Sequence, residues 1–188
     1  MTTITLSADR ARRLATGLLT VTSTVKGDVG LLDGAQAHDG CLYATNRYAG
    51  VKMLAGPEFP DGLYLPGGAI RALAKLPAAA VDVTIEHDTD SETVTVGGVV
   101  FDATHRTLPP VWSLWTKFSD DQAHTYSADA TQLSKILAWA SKHVVPQTTR
   151  SFTAIRKTAP VKIRAVQSAS GSALIVTTAG AEFIIQEA

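Results

Sequence analysis

The sequence predicts an α+β fold made of about three repeats of one small β-α-β-β-β unit, with the helices on one side of antiparallel sheets. The first observation behind this is a short strand running into an amphipathic helix three times, at intervals of roughly sixty residues. The second is that each helix is followed by segments in which apolar and polar residues alternate with period two, as half-buried strands do. The third is composition: 45% hydrophobic residues but only 6% aromatic ones, so the core has to be built from Val, Ile, Leu and Ala. One such unit cannot bury both its sheet face and its helix stripe, whereas two side by side share a core. The repeat lies in the pattern and not in residue identity.

In the first passage, "TITLSAD" sets Ile4 and Leu6 between threonines and reads as a strand. Ser7 or Asp9 then caps a helix over residues 8 to 23, with Leu14, Leu18 and Val21 on one face. Several threonines and Gly17 weaken that helix. Strands are expected over 28–37, 41–54 and 62–65, divided by Gly-, Asp- and Pro-containing turns. Pro66-Gly67-Gly68 opens the second helix, over 68 to 76, which spaces Ile70, Leu73 and Leu76 by three and ends at Pro77. "VDVTIEH" turns Val81, Val83 and Ile85 inward. "SETVTVGGVVFDATH" continues with Val94, Val96 and, after a Gly-Gly turn or bulge, Val100.

Residues 107 to 122, "TLPPVWSLWTKFSDDQ", break the pattern and read as a linker that packs its aromatics on a domain surface. The third passage follows. "AHTYSAD" is strand-like, and Asp129 caps a helix over 129 to 143 with an apolar stripe of Leu133, Ile136, Leu137 and Ala140. "SFTAIRKTAPVKIRAVQ" and "SALIVTTAGAEFIIQ" then read as strands. The chain therefore divides into residues 1–118, a complete domain of two units, and 119–188, a linker plus half a domain of one unit. The half-domain leaves much of its apolar face open and is not expected to fold alone.

Seventeen basic residues balance seventeen acidic ones, so nucleic-acid contact requires a locally basic face rather than bulk charge. Cys41 is the only cysteine, which removes a disulfide framework or a cysteine zinc site and leaves a buried apolar role. No signal-peptide core opens the chain, and no apolar run approaches the roughly 20 residues that span a bilayer. A cytoplasmic, reducing location without membrane contact is the expectation. The five histidines show no i, i+4 metal-binding pair, and "GLYLPGG" and "VTVGGVV" lack the phosphate-loop Lys-Ser/Thr and the dinucleotide glycine spacing. "DDQAH" reads as turn chemistry. No catalytic constellation emerges, so no enzyme activity, metal or cofactor is expected.

Several stretches resemble a known family. "LYATNRYAGVKM" is similar to the strand of bacterial-type DNA sliding clamps (DNA polymerase III beta subunit-like) that carries an Ala-Thr-Asp-Arg-aromatic core. "LYLPGGAIRALAKL" resembles the family's strand entering the second helix of a domain, and "VTVGGVVFDATHRTLPPVW" its closing strand pair and exit loop. "APVKIRAVQ" and "AEFIIQ" resemble its terminal strands. Asn46 stands where the family favours Asp, and Leu108-Pro109 replaces a Phe-Pro. The length points to a compact, phage-encoded relative. An odd number of units leaves a half-domain for another subunit to complete, which implies a homo-oligomer.

The resemblance implies a clamp-like processivity or tethering factor that self-associates around or beside duplex DNA and docks a polymerase or other replication proteins, without chemistry of its own. Arg10 and Arg13, Arg71 and Lys75, and Lys135 and Lys142 are spaced three, four and seven apart, so each pair shares a helical face. Such faces hold phosphates without reading bases; the alternative is an ordinary solvated face. Arg12 points elsewhere on its helix. Trp112, Trp115 and Phe118 are candidates for partner docking, against the simpler role of pinning a loop to its own domain. Arg47 and Tyr48 read as an exposed and a packed strand neighbour. "QLSKILAW" reads as a helix stripe and not as a clamp-binding peptide. The alternative function is a non-ring interaction module of the same fold, for example a viral protein that binds or competes for host replication factors.

Overall fold

The structure is a computed structural model that describes residues 1–22, 32–46, 49–104, 110–113, 130–143, 162–168, 171–178 and 181–186. The first unit comprises β1 (Thr2–Ser7), α1 (Ala8–Leu19), β2 (Ala35–His38), β3 (Cys41–Thr45) and β4 (Ala49–Leu54). The second comprises β5 (Tyr64–Leu65), α2 (Gly67–Ala74), β6 (Asp82–Asp88), β7 (Thr93–Val96) and β8 (Val99–Asp102). The third contributes α3 (Ala130–His143), β9 (Lys162–Ser168), β10 (Gly171–Thr178) and β11 (Ala181–Gln186). The α+β expectation therefore holds, with antiparallel pairing throughout the described strands.

The first two units exchange their leading strands. β1 pairs with β6 in the sheet β1-β6-β7-β8, while β5 pairs with β2 in the sheet β5-β2-β3-β4-β11-β10-β9. α1 and α2 pack on one another and reach both sheets, α1 against β4 and β6 and α2 against β7. One continuous apolar cluster results, with Ile4, Leu14, Leu18, Val51, Ile70, Leu73, Ile85 and Val94 in it. The third unit joins the same sheet through β11, which pairs with β4 from Ala181↔Met53 to Ile185↔Ala49. The division expected at residue 118, the strand "AHTYSAD" and the cap Asp129 lie outside the described residues.

Local chemistry explains where the elements stop. Ser7 is extended, and its hydroxyl accepts from the Arg10 N–H at 3.4 Å, which starts α1. The helix ends at Leu19 rather than 23, and the Thr20 N–H and hydroxyl both donate back to the Gly17 carbonyl there, at 3.2 and 2.7 Å. Val21 stays buried beyond the helix end. The single strand expected over 41–54 is a hairpin: the Asn46 side-chain oxygen accepts from the Ala49 N–H at 2.7 Å, and the Asn46 N–H donates to the Ala49 carbonyl at 3.0 Å. The strand expected from residue 28 begins at Ala35, and 28–31 lie outside the described residues.

Three expected core positions differ. Val83, Ile85, Val94 and Val96 are buried, but Val81 is 77% and Val100 64% exposed. Val81 precedes β6, whose pairing starts at Ser7↔Asp82. Gly97 and Gly98 both have positive φ, 55° and 85°, and form a two-residue hairpin turn. That turn pairs Val100 with Thr95, on the outward face, so the alternation does not carry across it. In α3, Ile136 and Ala140 are buried as expected, while Leu137 is 37% exposed and Trp139 takes its place in the core.

Trp139 also gives Gly17 its purpose. A Cβ on Gly17 would lie 2.7 Å from Met53 Sδ and 3.2 Å from the Trp139 ring, so the glycine is a point of close packing rather than a weakness. The indole stacks edge-on to Phe183 at 5.3 Å and donates its N–H to Thr16 Oγ1 at 3.3 Å. Trp139→Ala should lower stability by about 3–5 kcal/mol in urea unfolding followed by circular dichroism. A loss below about 1 kcal/mol would mean that the third unit does not depend on this side chain for its place.

Candidate functional site

The candidate cations lie on the three helices, except that α2 ends at Ala74 and leaves Lys75 as its C-cap, and their surroundings sort them into two groups. Arg10 is half-buried: its guanidinium pairs with Glu58 Oε1 at 2.7 Å and donates to the Ala55 carbonyl, tying α1 to the turn after β4. Arg71 forms a two-pronged pair with Asp33, at 3.1 and 3.4 Å. Arg13, Lys75, Lys135 and Lys142 are exposed and enter no ion pair among the described residues. Thus the α1 pair splits, with Arg10 held and Arg13 open. The α2 pair divides the same way between Arg71 and Lys75, and α3 keeps both lysines open on one face.

Arg12, set aside from the sequence, is the residue that locks the helices together. Its guanidinium donates to the Leu76 and Pro77 carbonyls, at 3.3 and 2.7 Å, and pairs with Asp9. It thereby satisfies carbonyls left over where α2 ends. The i, i+3 spacing from Asp9 is visible in the sequence, but the carbonyls lie 64 and 65 residues away. Glu58 and Asp33, the two carboxylates that hold Arg10 and Arg71, gave no signal in the sequence for the same reason.

The seven-stranded sheet presents its opposite face to the segment 110–113. There Cys41, Tyr43 and Val111 form a small buried cluster with Trp112 packed on it. The Trp112 ring lies 4.5 Å from His38 and 6.2 Å from Tyr43, and His38 Nδ1 is 3.3 Å from Asp61 Oδ2. Trp112 is thus half-buried and pins its own segment. Trp115, Phe118, Arg47 and Tyr48 lie outside the described residues. Burial raises the Cys41 thiol, with Lys52 acting against it, so the thiol stays protonated and unreactive at neutral pH. Among the described residues no three His, Cys, Asp or Glu side chains stand together as a metal site, and no helix is long and apolar enough to cross a membrane.

Burial, with the Cys41 and Asp39 side chains adding to it, pushes the Tyr43 hydroxyl from 10.0 up to about 12. Between those values the unfolded chain has released the proton and the folded chain has kept it, so stability falls as pH rises through the window. The loss should be on the order of 2 kcal/mol across it. Tyr43→Phe should flatten that decline when unfolding midpoints are compared on either side of the window; an equally steep decline would assign it to another group.

No protein-family model matches the chain, and no curated protein sequence does. Solved structures do match. The DNA polymerase III subunit beta from Borrelia burgdorferi superposes with a TM-score of 0.60 at 11% identity, covering 100% of this chain and 64% of that one. The beta subunit from Thermotoga maritima gives 0.58 at 12%, covering 98% and 64%. That from Pseudomonas aeruginosa gives 0.58 at 12%, covering 100% and 66%. The chain has the fold of these sliding clamps and spans about two thirds of their length, 64–66%.

Proposed function

We propose that this chain acts as a clamp-like processivity or tethering factor, with its helix layer toward duplex DNA and its outer sheet face toward replication proteins. The observation that carries the reading is the set of four exposed cations of a sliding-clamp fold: Arg13 on α1, Lys75 at the C-cap of α2, and Lys135 and Lys142 on α3. Long, flexible cations of this kind touch phosphates without reading base edges, so the protein holds DNA and still moves along it. The protein performs no chemistry; it keeps a polymerase or another replication enzyme beside its template in the cytoplasm. Copies associate through sheet edges. β8 ends one sheet and β9 the other, and Val99, Val100 and Ile163 stand exposed on them. A head-to-tail interface between two different edges closes a ring when its rotation allows.

A second reading, a clamp-fold interaction module without a ring, draws on Arg10 and Arg71. Two of the six candidate cations are already neutralised by carboxylates within the chain, which weakens any grip on a polyanion.

Two measurements separate the readings. Changing Arg13, Lys75, Lys135 and Lys142 to Gln should make the dependence of DNA affinity on salt shallower, by about 0.9 in log–log slope for each phosphate that is no longer neutralised. An unchanged slope removes this face from DNA binding. Light scattering of the unaltered protein should give a discrete oligomer that persists on dilution, whereas a monomer at high concentration favours the interaction module.

A further inference from the structure

We infer that Asp33 is a built-in competitor for phosphate at Arg71. Its carboxylate occupies, from within the chain, the two-pronged position that a backbone phosphate takes when the helix layer meets DNA. The inference rests on the DNA-facing reading of that layer.

The three ion-paired arginines of α1 and α2 are held in different ways. Arg10 binds a carboxylate and a backbone carbonyl, and Arg12 binds two carbonyls and a carboxylate, so both are needed by the fold. Arg71 bonds only Asp33 among the described residues. The two side chains are 49% and 39% exposed. A pair so exposed contributes little to stability and is screened by salt, which makes it exchangeable. Its geometry, one oxygen to each terminal nitrogen, is also the geometry with which a guanidinium grips phosphate.

The competitor is held in position. A Cβ on Gly67 would lie 2.2 Å from the Asp33 carbonyl oxygen and 2.3 Å from Asp33 Oδ1, so Asp33 sits directly against the first residue of α2. There the helix dipole favours an anion, and the carboxylate is not stranded when Arg71 turns to another partner. Lys75, four residues after Arg71, is the C-cap that follows the same helix and is unpaired among the described residues, so an exchanged Arg71 adds its charge near one already open. Asp33 thereby sets how tightly this part of the layer holds DNA.

The test is a cycle of Asp33→Asn, Arg71→Gln and the double variant, with affinity for a labelled duplex measured across a salt series. Asp33→Asn should tighten binding and steepen the log–log salt slope by about 0.9, and both effects should vanish in the Arg71→Gln background. Tightening that survives in that background reflects removal of a negative charge at long range and overturns the inference, as does an unaltered slope for Asp33→Asn. Should Asp33→Asn lose its native circular dichroism spectrum, Asp33→Ser serves in its place with the same expectation. If the unaltered protein fails to bind duplex even at low salt, the DNA-facing reading falls and the competitor with it. If the slope responds to Arg13 and Lys75 but not to Asp33, only the competitor falls.

Discussion

The exchange of leading strands between the first two units is the constraint on which the rest of the structure depends. β1 leaves its own unit to pair with β6 over the full run from Thr2↔His87 to Ser7↔Asp82, and β5 crosses the other way to β2. Neither unit can then complete a sheet without the other. α1 and α2 are forced side by side over the shared core, and the Arg12 guanidinium bridges them by taking the carbonyls where α2 ends. The side-by-side placement of α1 and α2 follows from this arrangement, and so does the placement of Arg10, Arg12, Arg13 and Arg71 on them.

That layer divides its charges between structure and surface. Buried or half-buried guanidinium groups need several acceptors, and Arg10 and Arg12 find theirs in backbone carbonyls as well as carboxylates. Lys75, Lys135 and Lys142 are exposed and enter no ion pair among the described residues, which leaves their charge unneutralised there. A protein with equal numbers of acidic and basic residues thus keeps Arg13, Lys75, Lys135 and Lys142 exposed and outside the ion pairs of the described residues. The structures that share this fold are DNA polymerase III beta subunits, at 11–12% identity.

The third unit is fastened at two places. β11 extends the sheet of the first unit through β4, and Trp139 drops from α3 between Met53, Phe183 and the bare backbone of Gly17. On the far face of the same sheet, Trp112 covers Cys41 and Tyr43. One tryptophan therefore anchors a helix on the inner side and another anchors a connecting segment on the outer side.

Much of this was legible from local pattern. The strand–helix–strand order, the stripes of Leu14 and Leu18 and of Ile70 and Leu73, the Ser7 cap, the Gly-Gly turn and the buried Cys41 all depend on near neighbours, where periodicity and capping rules act. The bond at Asn46 is equally local, since its side-chain oxygen accepts the N–H of Ala49 three residues on. What tertiary structure alone decided is which charges are free and which residues meet across the fold. Arg10 and Arg13 look alike on a helix wheel, yet Glu58 reaches one and not the other; Asp33 reaches Arg71 from 38 residues away. Trp139 displaced Leu137 from the expected stripe because Gly17 opened a space on a helix more than a hundred residues earlier. Sequence by itself determined the elements and their apolar faces, because those are short-range steric and hydrophobic effects. Only the folded chain determined the pairing of charges, because an ion pair depends on distance in space, which spacing along the chain does not encode.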